Sequence, residues 1–133
     1  MAFTTPITIR FQHCDLAGIV FYPRYFEMFN STVEEWFEKV IGIGFLRLHS
    51  EMRIGIPVVH MENKFMAKSR LEDQLDFTLT VNRLGDSSIN ITIQAVCGQE
   101  IRCSSDMTLV CIDLDSGNKQ SWPDEIRSKI EIN

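Results

Sequence analysis

Apolar residues recur every three or four positions between Tyr22 and Val40, and this spacing predicts one long helix from Pro23 to Ile41. Pro23 suits a first helical turn, because the N–H that proline lacks would have no partner there. Gly42 follows the last apolar residue and marks the end of the helix. The apolar positions cover more than half of the circumference, so other parts of the chain must enclose this helix. This requirement constrains the fold more than any other feature of the sequence.

The residues that must enclose the helix show the alternation of apolar and polar side chains that is typical of strands. One strand, Thr5–Gln12, precedes the helix, and Ile7, Ile9 and Phe11 form its apolar side. Four strands follow the helix, and glycine-containing turns separate the last three. They are predicted at 58–66, around 75–81, around 89–93 and at 101–111, with short helical segments at 45–53 and 123–129.

This order of elements predicts an α+β fold in which a curved antiparallel sheet of about five strands wraps around one central helix. The four strands after the helix are expected to form a meander, in which each strand lies beside the next one in the sequence. A chain of 133 residues is long enough for one domain with a substantial core, so residues 1–133 are predicted to form a single domain.

Composition and charge exclude several classes of partner. The formal net charge is −5 and no run of lysine or arginine occurs, so neither a nucleic acid nor a membrane surface is an expected partner. No apolar stretch is long enough to span a membrane, and the first residues lack the pattern of a secretory signal. The four cysteines show no C-x-x-C spacing, which argues against a metal site; we expect reduced thiols in a cytoplasmic protein.

The segment between the first strand and the helix reads HCDLAGIVFYPRYF, over residues 13–26. It contains one carboxylate, Asp15, followed by a small Ala17–Gly18 step that lets a ligand approach the backbone closely. The apolar run 19–21 then provides a wall that is shielded from water. An aspartate before a helix often caps it, but Pro23 lies too far along the chain for Asp15 to do so.

Residues 15–26 resemble the D-x-A-G-[IV]-V-[FY]-[YF]-x-x-[YF] signature of the 4-hydroxybenzoyl-CoA thioesterase family, a branch of the hotdog-fold superfamily. Residues 67–75, AKSRLEDQL, are similar to a second segment of that family, A-x-[AS]-R-[LY]-x-D-x-[LI]. The resemblance extends over about residues 5–125 and implies a hotdog-fold acyl-CoA thioesterase. It also implies homodimers or homotetramers with active sites at the subunit interface, and no cofactor beyond the coenzyme A of the substrate.

The resemblance further implies that Asp15 is the catalytic carboxylate and that the backbone N–H near Tyr22 polarises the thioester carbonyl. The N–H groups of a first helical turn lack intrahelical partners and lie at the positive end of the helix dipole, so they can stabilise an oxyanion. Asp15 can attack the carbonyl directly, which gives a mixed anhydride, or it can take a proton from the attacking water. Both routes are open at this point.

Further residues are candidates for substrate binding. They are Gly18, Ile19, Val20, Pro23 and Tyr25 beside the catalytic segment, and His60 from a strand of mixed polarity. Coenzyme A carries phosphates, which require basic or hydrogen-bonding groups. Arg83 and Ser88 flank a predicted turn and are the candidates for this contact, with Lys64, Lys68 and Arg70 as alternatives. Asp86, in the same turn, would repel a phosphate.

The sequence thus favours a metal-free acyl-CoA thioesterase that acts on an aromatic or a short- to medium-chain acyl group. Pro23 favours the aromatic type, because a related branch with aliphatic substrates often has histidine at that position. Two alternatives stay open. One is a thioesterase that unloads an acyl-carrier protein, which the weak basic character near Asp86 favours. The other is a hotdog protein that binds acyl groups without hydrolysing them.

Overall fold

The structure is a computed structural model that describes residues 2–130, and its main feature is a five-stranded antiparallel sheet wrapped around one long helix. The large sheet contains β1 (Phe3–Thr8), β3 (Val58–Phe65), β4 (Gln74–Leu84), β5 (Ser88–Cys97) and β6 (Glu100–Val110), and a small sheet contains β2 (Ile54–Gly55) and β7 (Ile112–Asp113). The α-helices are α1 (Pro23–Trp36) and α2 (Asp124–Arg127). The α+β hotdog fold is confirmed; residues 1 and 131–133 of the predicted domain lie outside the described range.

The long helix has the bounds that its apolar spacing predicts. α1 begins at Pro23 and continues as a π-helical turn, Phe37–Ile41, so the helical structure reaches the predicted end. Gly42 closes it with a φ of 80°, which glycine adopts without strain, and its N–H donates to the carbonyl of Phe37 at 2.7 Å. Val40 is nevertheless 41% exposed, because a π-helical turn departs from the 3.6-residue spacing.

The shorter helices also agree with the sequence. The predicted segment 45–53 contains a π-helical turn, Arg47–Glu51, whose Leu48 is fully buried. α2 lies within the predicted segment 123–129. None of the helices in residues 2–130 is both long enough and apolar enough to cross a membrane.

The core lies between α1 and the inner face of the large sheet. Phe29, in the middle of α1, is fully buried and contacts Phe77 of β4 edge to face, with the ring centroids 6.0 Å apart. Burial of one such side chain stabilises the fold by about 1.5–3 kcal/mol. The sheet contributes Leu75, Phe77, Leu79, Val81, Ile89, Ile91, Ile93, Ala95, Cys103, Met107 and Leu109. The alternation in the sequence therefore identifies the buried face of β4, β5 and β6 correctly.

The strand order differs from the predicted meander. The order across the sheet is β1-β4-β5-β6-β3, so β4, β5 and β6 form a meander, but β3 does not lie beside β4. Instead β3 pairs antiparallel with β6, from Val58 opposite Leu109 to Phe65 opposite Cys103. The prediction was wrong because alternation shows which face of a strand is buried and carries no information about the neighbouring strand.

The first strand ends earlier than predicted. β1 stops at Thr8, and Phe11–His13 forms a 3₁₀ turn, in which the N–H of Arg10 donates to Nδ1 of His13 at 2.8 Å. Ile9 is buried as expected, but Phe11 is 84% exposed and does not belong to the core. Side chains two positions apart lie on the same face only in extended backbone. Because a 3₁₀ turn replaces the extended backbone here, the spacing from Ile9 to Phe11 no longer predicts that Phe11 is buried.

The C-terminal segment packs against the turn between β4 and β5. The hydroxyl of Ser121 donates to the carboxylate of Asp86 at 2.9 Å, and the indole N–H of Trp122 donates to the carbonyl of Ser88 at 3.1 Å. The guanidinium of Arg127 donates to another carbonyl of the same turn. These contacts give Asp86 a structural partner inside the chain.

Candidate active site

The segment from His13 to Phe21 forms a narrow loop that returns to its own start. The N–H of Phe21 donates to the carbonyl of His13 at 2.9 Å, and the N–H of Asp15 donates to the carbonyl of Ile19 at 3.2 Å. Gly18 has a φ of 79° within this loop, in the left-handed region that favours glycine. These bonds hold Asp15 close to the residues that begin α1.

The Asp15 side chain is exposed and takes part in a turn. Its Oδ1 accepts a hydrogen bond from the N–H of Ala17 at 2.8 Å, and the N–H of Gly18 donates to the Asp15 carbonyl at 3.0 Å. This turn orients the carboxylate, while Oδ2 accepts no hydrogen bond from residues 2–130. Asp15 does not cap α1, in agreement with the sequence. Oδ2 is therefore free to meet a substrate or a water.

The start of α1 presents an unpaired backbone donor. Tyr22 precedes Pro23, the first helical residue, and the N–H of Tyr22 donates to no acceptor in residues 2–130. The neighbouring N–H groups of Phe21, Arg24 and Tyr25 all have acceptors. Pro23 has no N–H, so the free donor is that of Tyr22, near the positive end of the helix dipole. An oxyanion hole requires an N–H that has no acceptor within the protein.

A cavity of about 340 Å³ opens beside this helix start. Its volume is within the range of about 300–1,000 Å³ that is usual for small-molecule sites. It is lined by Ile19, Val20, Tyr22 and Tyr25 on one side, and by Phe65, Met66, Ala67, Lys68 and Ser69 on the other. The rings of Tyr22 and Tyr25 each lie 6.1 Å from the ring of Phe65, centroid to centroid. The walls are therefore mostly aromatic and aliphatic.

The sequence predicts one side of this lining and misses the other. The cavity brings together four predicted residues, 19, 20, 22 and 25. Of residues 65–69 the sequence analysis names only Lys68, as an alternative phosphate contact, although 67–69 open the AKSRLEDQL segment, which was the signal that could have found the others. The N–H of Val20 donates to the carbonyl of Ser69 at 2.9 Å and joins this second segment to the loop of Asp15.

A partly buried polar network supports the Ser69 side of the cavity. The hydroxyl of Tyr25 donates to Ser69 Oγ at 2.8 Å. One guanidinium nitrogen of Arg102, on β6, lies 3.2 Å from Ser69 Oγ, 2.9 Å from the Lys68 carbonyl and 2.8 Å from Oδ2 of Asp73, and these three acceptors share its two hydrogens. Buried hydrogen bonds to charged groups contribute about 1.5–3 kcal/mol, and these partly exposed ones contribute less, so the network stabilises the position of Ser69 in the cavity wall.

The network shifts the pKa of three groups. The N–H of Arg70, followed by the side chain of Arg102, holds the pKa of Asp73 below its usual value by hydrogen bonding. Burial raises the pKa of Tyr25, although the hydrogen bond with Ser69 acts in the opposite direction. The hydrogen bond with Asp73 raises the pKa of Arg102. At neutral pH the network therefore contains an ionised Asp73, a protonated Tyr25 and a charged Arg102.

Asp73→Asn is expected to lower the free energy of unfolding by about 1–3 kcal/mol at pH 7, because it removes the charged acceptor of one guanidinium nitrogen of Arg102 and leaves Glu100 as the carboxylate partner. The folded pKa of Asp73 is lowered, so the wild type keeps this stabilisation above the usual aspartate pKa of about 3.9 and loses it as the pH falls through the folded pKa. Denaturant unfolding at fixed protein concentration should show a constant difference between about pH 5 and 7. The difference should shrink below about pH 4, and an unchanged difference at about pH 3 would contradict this linkage.

Neither Asp15 nor the remaining predicted residues line the cavity. Gly18 and Pro23 adjoin lining residues in the chain, whereas His60 is exposed on β3, with Nε2 3.2 Å from the carboxylate of Glu62. Arg83 and Ser88 lie at the opposite end of the sheet, about 30 Å from the start of β4 by strand geometry. One chain therefore does not bring Arg83 or Ser88 to the cavity.

Comparisons with known proteins agree with this geometry. The family model of the Thioesterase-like superfamily matches residues 9–130 of this chain. A 1,4-dihydroxy-2-naphthoyl-CoA hydrolase from Nostoc punctiforme is 29% identical over 133 residues, which cover 100% of this chain and 89% of that protein. A solved 1,4-dihydroxy-2-naphthoyl-CoA thioesterase from Synechocystis has a TM-score of 0.86 at 20% identity, covering 98% of this chain and 96% of that one. A solved gentisyl-coenzyme A thioesterase has a TM-score of 0.84 at 21% identity, covering 93% and 98%.

These similarities identify the superfamily of the chain but not a narrower family within it. The solved structures support the fold, and the prediction of a thioester hydrolase is confirmed at the level of the superfamily. None of the three proteins is named a 4-hydroxybenzoyl-CoA thioesterase, so the narrower family is not confirmed. The matched range includes both the Asp15 loop and the Ser69 segment, that is, both sides of the cavity. The chain belongs to the Thioesterase-like superfamily.

Proposed function

We propose that this protein hydrolyses an aryl-CoA thioester to a free acid and coenzyme A. The observation that carries the proposal is the unpaired N–H of Tyr22, which adjoins an aromatic-lined cavity and directly follows the loop that holds Asp15. The three relatives described above support the aryl class, because their names specify naphthoyl-CoA or gentisyl-CoA substrates.

The reaction needs charge stabilisation and an oxygen nucleophile. The thioester carbonyl oxygen accepts the hydrogen bond of the Tyr22 N–H and becomes an oxyanion as the carbonyl carbon is attacked. In one route the Asp15 carboxylate attacks and expels the thiolate of coenzyme A, and water then cleaves the mixed anhydride. In the other route Asp15 takes a proton from water as the water attacks, and the tetrahedral intermediate collapses with loss of the same thiolate. In the second route the proton on Asp15 then passes to the departing thiolate, and in the first route the water that cleaves the anhydride releases its protons to the thiolate and to solvent, so Asp15 ends both routes as a carboxylate.

One chain supplies only some of the basic residues that would bind the phosphates of coenzyme A. Lys68 lines the cavity, and Arg70 follows it on an exposed part of the same segment. We propose that these two residues meet the phosphates from the chain that holds Asp15. Arg83 and Ser88 retain their proposed role only if a second subunit brings them to the same cavity.

We also propose that the protein is a homodimer or homotetramer with shared active sites. β3 forms one edge of the sheet and exposes Val58, Val59 and Phe65, and an apolar strand edge favours pairing with another chain. Tyr22 and Met66 add exposed apolar surface at the cavity. Light scattering should give at least twice the mass of one chain, 15.3 kDa. A mass near that of a single chain at assay concentration would rule out shared sites.

A panel of thioesters tests the proposed function. Hydrolysis by the purified protein is followed with a thiol reagent on benzoyl-CoA, 2-naphthoyl-CoA and hexanoyl-CoA. We expect kcat/KM for the better aryl thioester to exceed that for hexanoyl-CoA by about tenfold or more, because the aromatic walls favour a flat ring over a flexible chain. Equal or greater activity on hexanoyl-CoA would reject the aryl class.

The same panel separates the two alternatives. One arm presents the best acyl group on the phosphopantetheine of an acyl-carrier protein; faster turnover there than on coenzyme A would favour the carrier-protein thioesterase. Another arm measures binding of the acyl-CoA by calorimetry. Tight binding without release of thiol would favour a non-hydrolytic acyl-binding protein and would reject the proposal.

A further inference from the structure

Ser69 has a buried hydroxyl whose hydrogen finds no acceptor in residues 2–130. A serine hydroxyl has one hydrogen to donate and two lone pairs that accept. Ser69 Oγ accepts the hydroxyl of Tyr25 at 2.8 Å and a guanidinium N–H of Arg102 at 3.2 Å. Both contacts use lone pairs of Ser69. The hydroxyl is therefore held in the state of a hydrogen-bond donor.

Two neighbours maintain this state. Burial raises the pKa of Tyr25, so its hydroxyl keeps its hydrogen at neutral pH, and it donates that hydrogen to Ser69. Asp73 keeps the guanidinium of Arg102 in place, and the guanidinium presents hydrogens to Ser69 Oγ, which turns the serine hydrogen away from that side. Ser69 and Tyr25 both line the cavity, so a bound ligand would approach Ser69 from that side.

The position of Ser69 separates it from the proposed reaction centre. Both residues line the cavity, but Tyr22 is 58% exposed and Ser69 is 1% exposed. With the thioester carbonyl on the Tyr22 N–H, a coenzyme A chain that leaves toward solvent would let the acyl group extend toward Ser69.

We infer that Ser69 is a specificity-determining residue that donates a hydrogen bond to an oxygen substituent on the aryl ring of the acyl group. This inference rests on the proposed function and narrows the substrate to oxygenated aryl thioesters. Tyr25 and Arg102 act through Ser69 as positioning residues. A ring without an oxygen would leave the buried donor without a partner, which lowers affinity.

Two further observations support this substrate class. Arg102 carries a positive charge next to Ser69, which strengthens a hydrogen bond to an electron-rich phenolic oxygen. The names of the three relatives specify dihydroxynaphthoyl and gentisyl groups, which are hydroxylated aryl groups. The rest of the lining, apart from Lys68, is apolar or aromatic and suits the ring itself.

The test compares thioesters that differ by one ring hydroxyl: 2-naphthoyl-CoA, 1-hydroxy-2-naphthoyl-CoA and 4-hydroxy-2-naphthoyl-CoA. The wild type should show a kcat/KM about tenfold or more higher for the better hydroxylated substrate than for 2-naphthoyl-CoA. Ser69→Ala should reduce this preference to less than about threefold while retaining hydrolysis of 2-naphthoyl-CoA. Tyr25→Phe, which lets the Ser69 hydroxyl rotate, should give an intermediate preference.

Thr32→Val is the matched control. Thr32 also has a fully buried hydroxyl, which donates to the carbonyl of Met28 at 2.8 Å within α1, and it does not line the cavity. This variant should keep the wild-type preference. A general loss of stability would instead lower the activity on all three substrates in the control and in Ser69→Ala alike.

The outcomes distinguish this inference from the proposed function. If Ser69→Ala keeps the wild-type preference, or slows all three thioesters equally, the hydroxyl does not contact the ring oxygen and the inference is overturned, while thioester hydrolysis stands. If the wild type hydrolyses none of them, the proposed function fails. Calorimetric titration with 1-hydroxy-2-naphthoate and 2-naphthoate then decides: a preference for the hydroxylated acid that Ser69→Ala removes supports the inference, and equal affinities overturn it.

Discussion

Replacing Asp15 with asparagine is expected to lower kcat for the best aryl-CoA substrate by about 100-fold or more and to change KM by less than about threefold. The amide can neither attack the thioester carbonyl nor take a proton from water. Asparagine keeps a side-chain oxygen that can accept the hydrogen bond from the Ala17 N–H, so the turn is preserved. The loss should therefore be one of chemistry and not of local structure. Steady-state kinetics with a thiol reagent measures both constants.

Asp76→Asn is the matched control for this substitution. Asp76 is an exposed carboxylate on β4 that does not line the cavity, and its neutralisation should leave kcat within about twofold of the wild type. Both variants should give the circular dichroism spectrum of the wild type. An Asp15→Asn variant that hydrolyses the substrate at the wild-type rate would remove Asp15 from the mechanism.

Phe29→Ala is expected to lower the free energy of unfolding by about 3–5 kcal/mol. The ring is fully buried between Tyr25 and Phe77, with centroids 6.2 and 6.0 Å away, so its removal leaves a cavity in the centre of the core. Domains of this size are stable by only about 5–15 kcal/mol, so the change removes a large share of the total. Denaturant unfolding should be compared at one protein concentration, because association also contributes to stability.

Phe11→Ala removes the same side chain from an exposed turn. Phe11 is 84% exposed, so its truncation should change the free energy of unfolding by no more than about 0.5 kcal/mol. The pair of variants thus separates burial from residue type. Equal destabilisation by both would mean that Phe11 is buried in solution, for instance against a second chain.

The sequence alone predicts the helices and strands of this fold better than it predicts which strands pair with each other. The helix Pro23–Ile41 and the buried faces of β4, β5 and β6 follow from the period of the apolar residues, because each period reflects a backbone geometry. The place of β3 beside β6 does not follow, because pairing depends on tertiary contacts between residues far apart in the sequence. The prediction that Phe11 is buried is wrong for a local reason, because a 3₁₀ turn interrupts the extended chain.

The candidate site shows the same division. The free N–H of Tyr22 follows from the sequence, because Pro23 fixes where the helix begins and removes one donor from its start. The second wall of the cavity does not follow. Ser69 and Lys68 are polar residues in an irregular segment, and a hydrogen bond from Val20 to Ser69, across some fifty positions, joins that segment to the Asp15 loop.

The order of the strands also governs how the chain reaches this structure. β4, β5 and β6 are joined by short turns and can pair through local contacts, whereas Val58 must find Leu109 and Thr5 must find Phe77. Closing such long loops costs conformational entropy before any edge contact offsets it. The centre of the sheet should therefore form first and both edges last. The cavity wall that follows β3 matures in that late step, so a partly folded chain lacks a binding site and exposes an apolar edge at the same time.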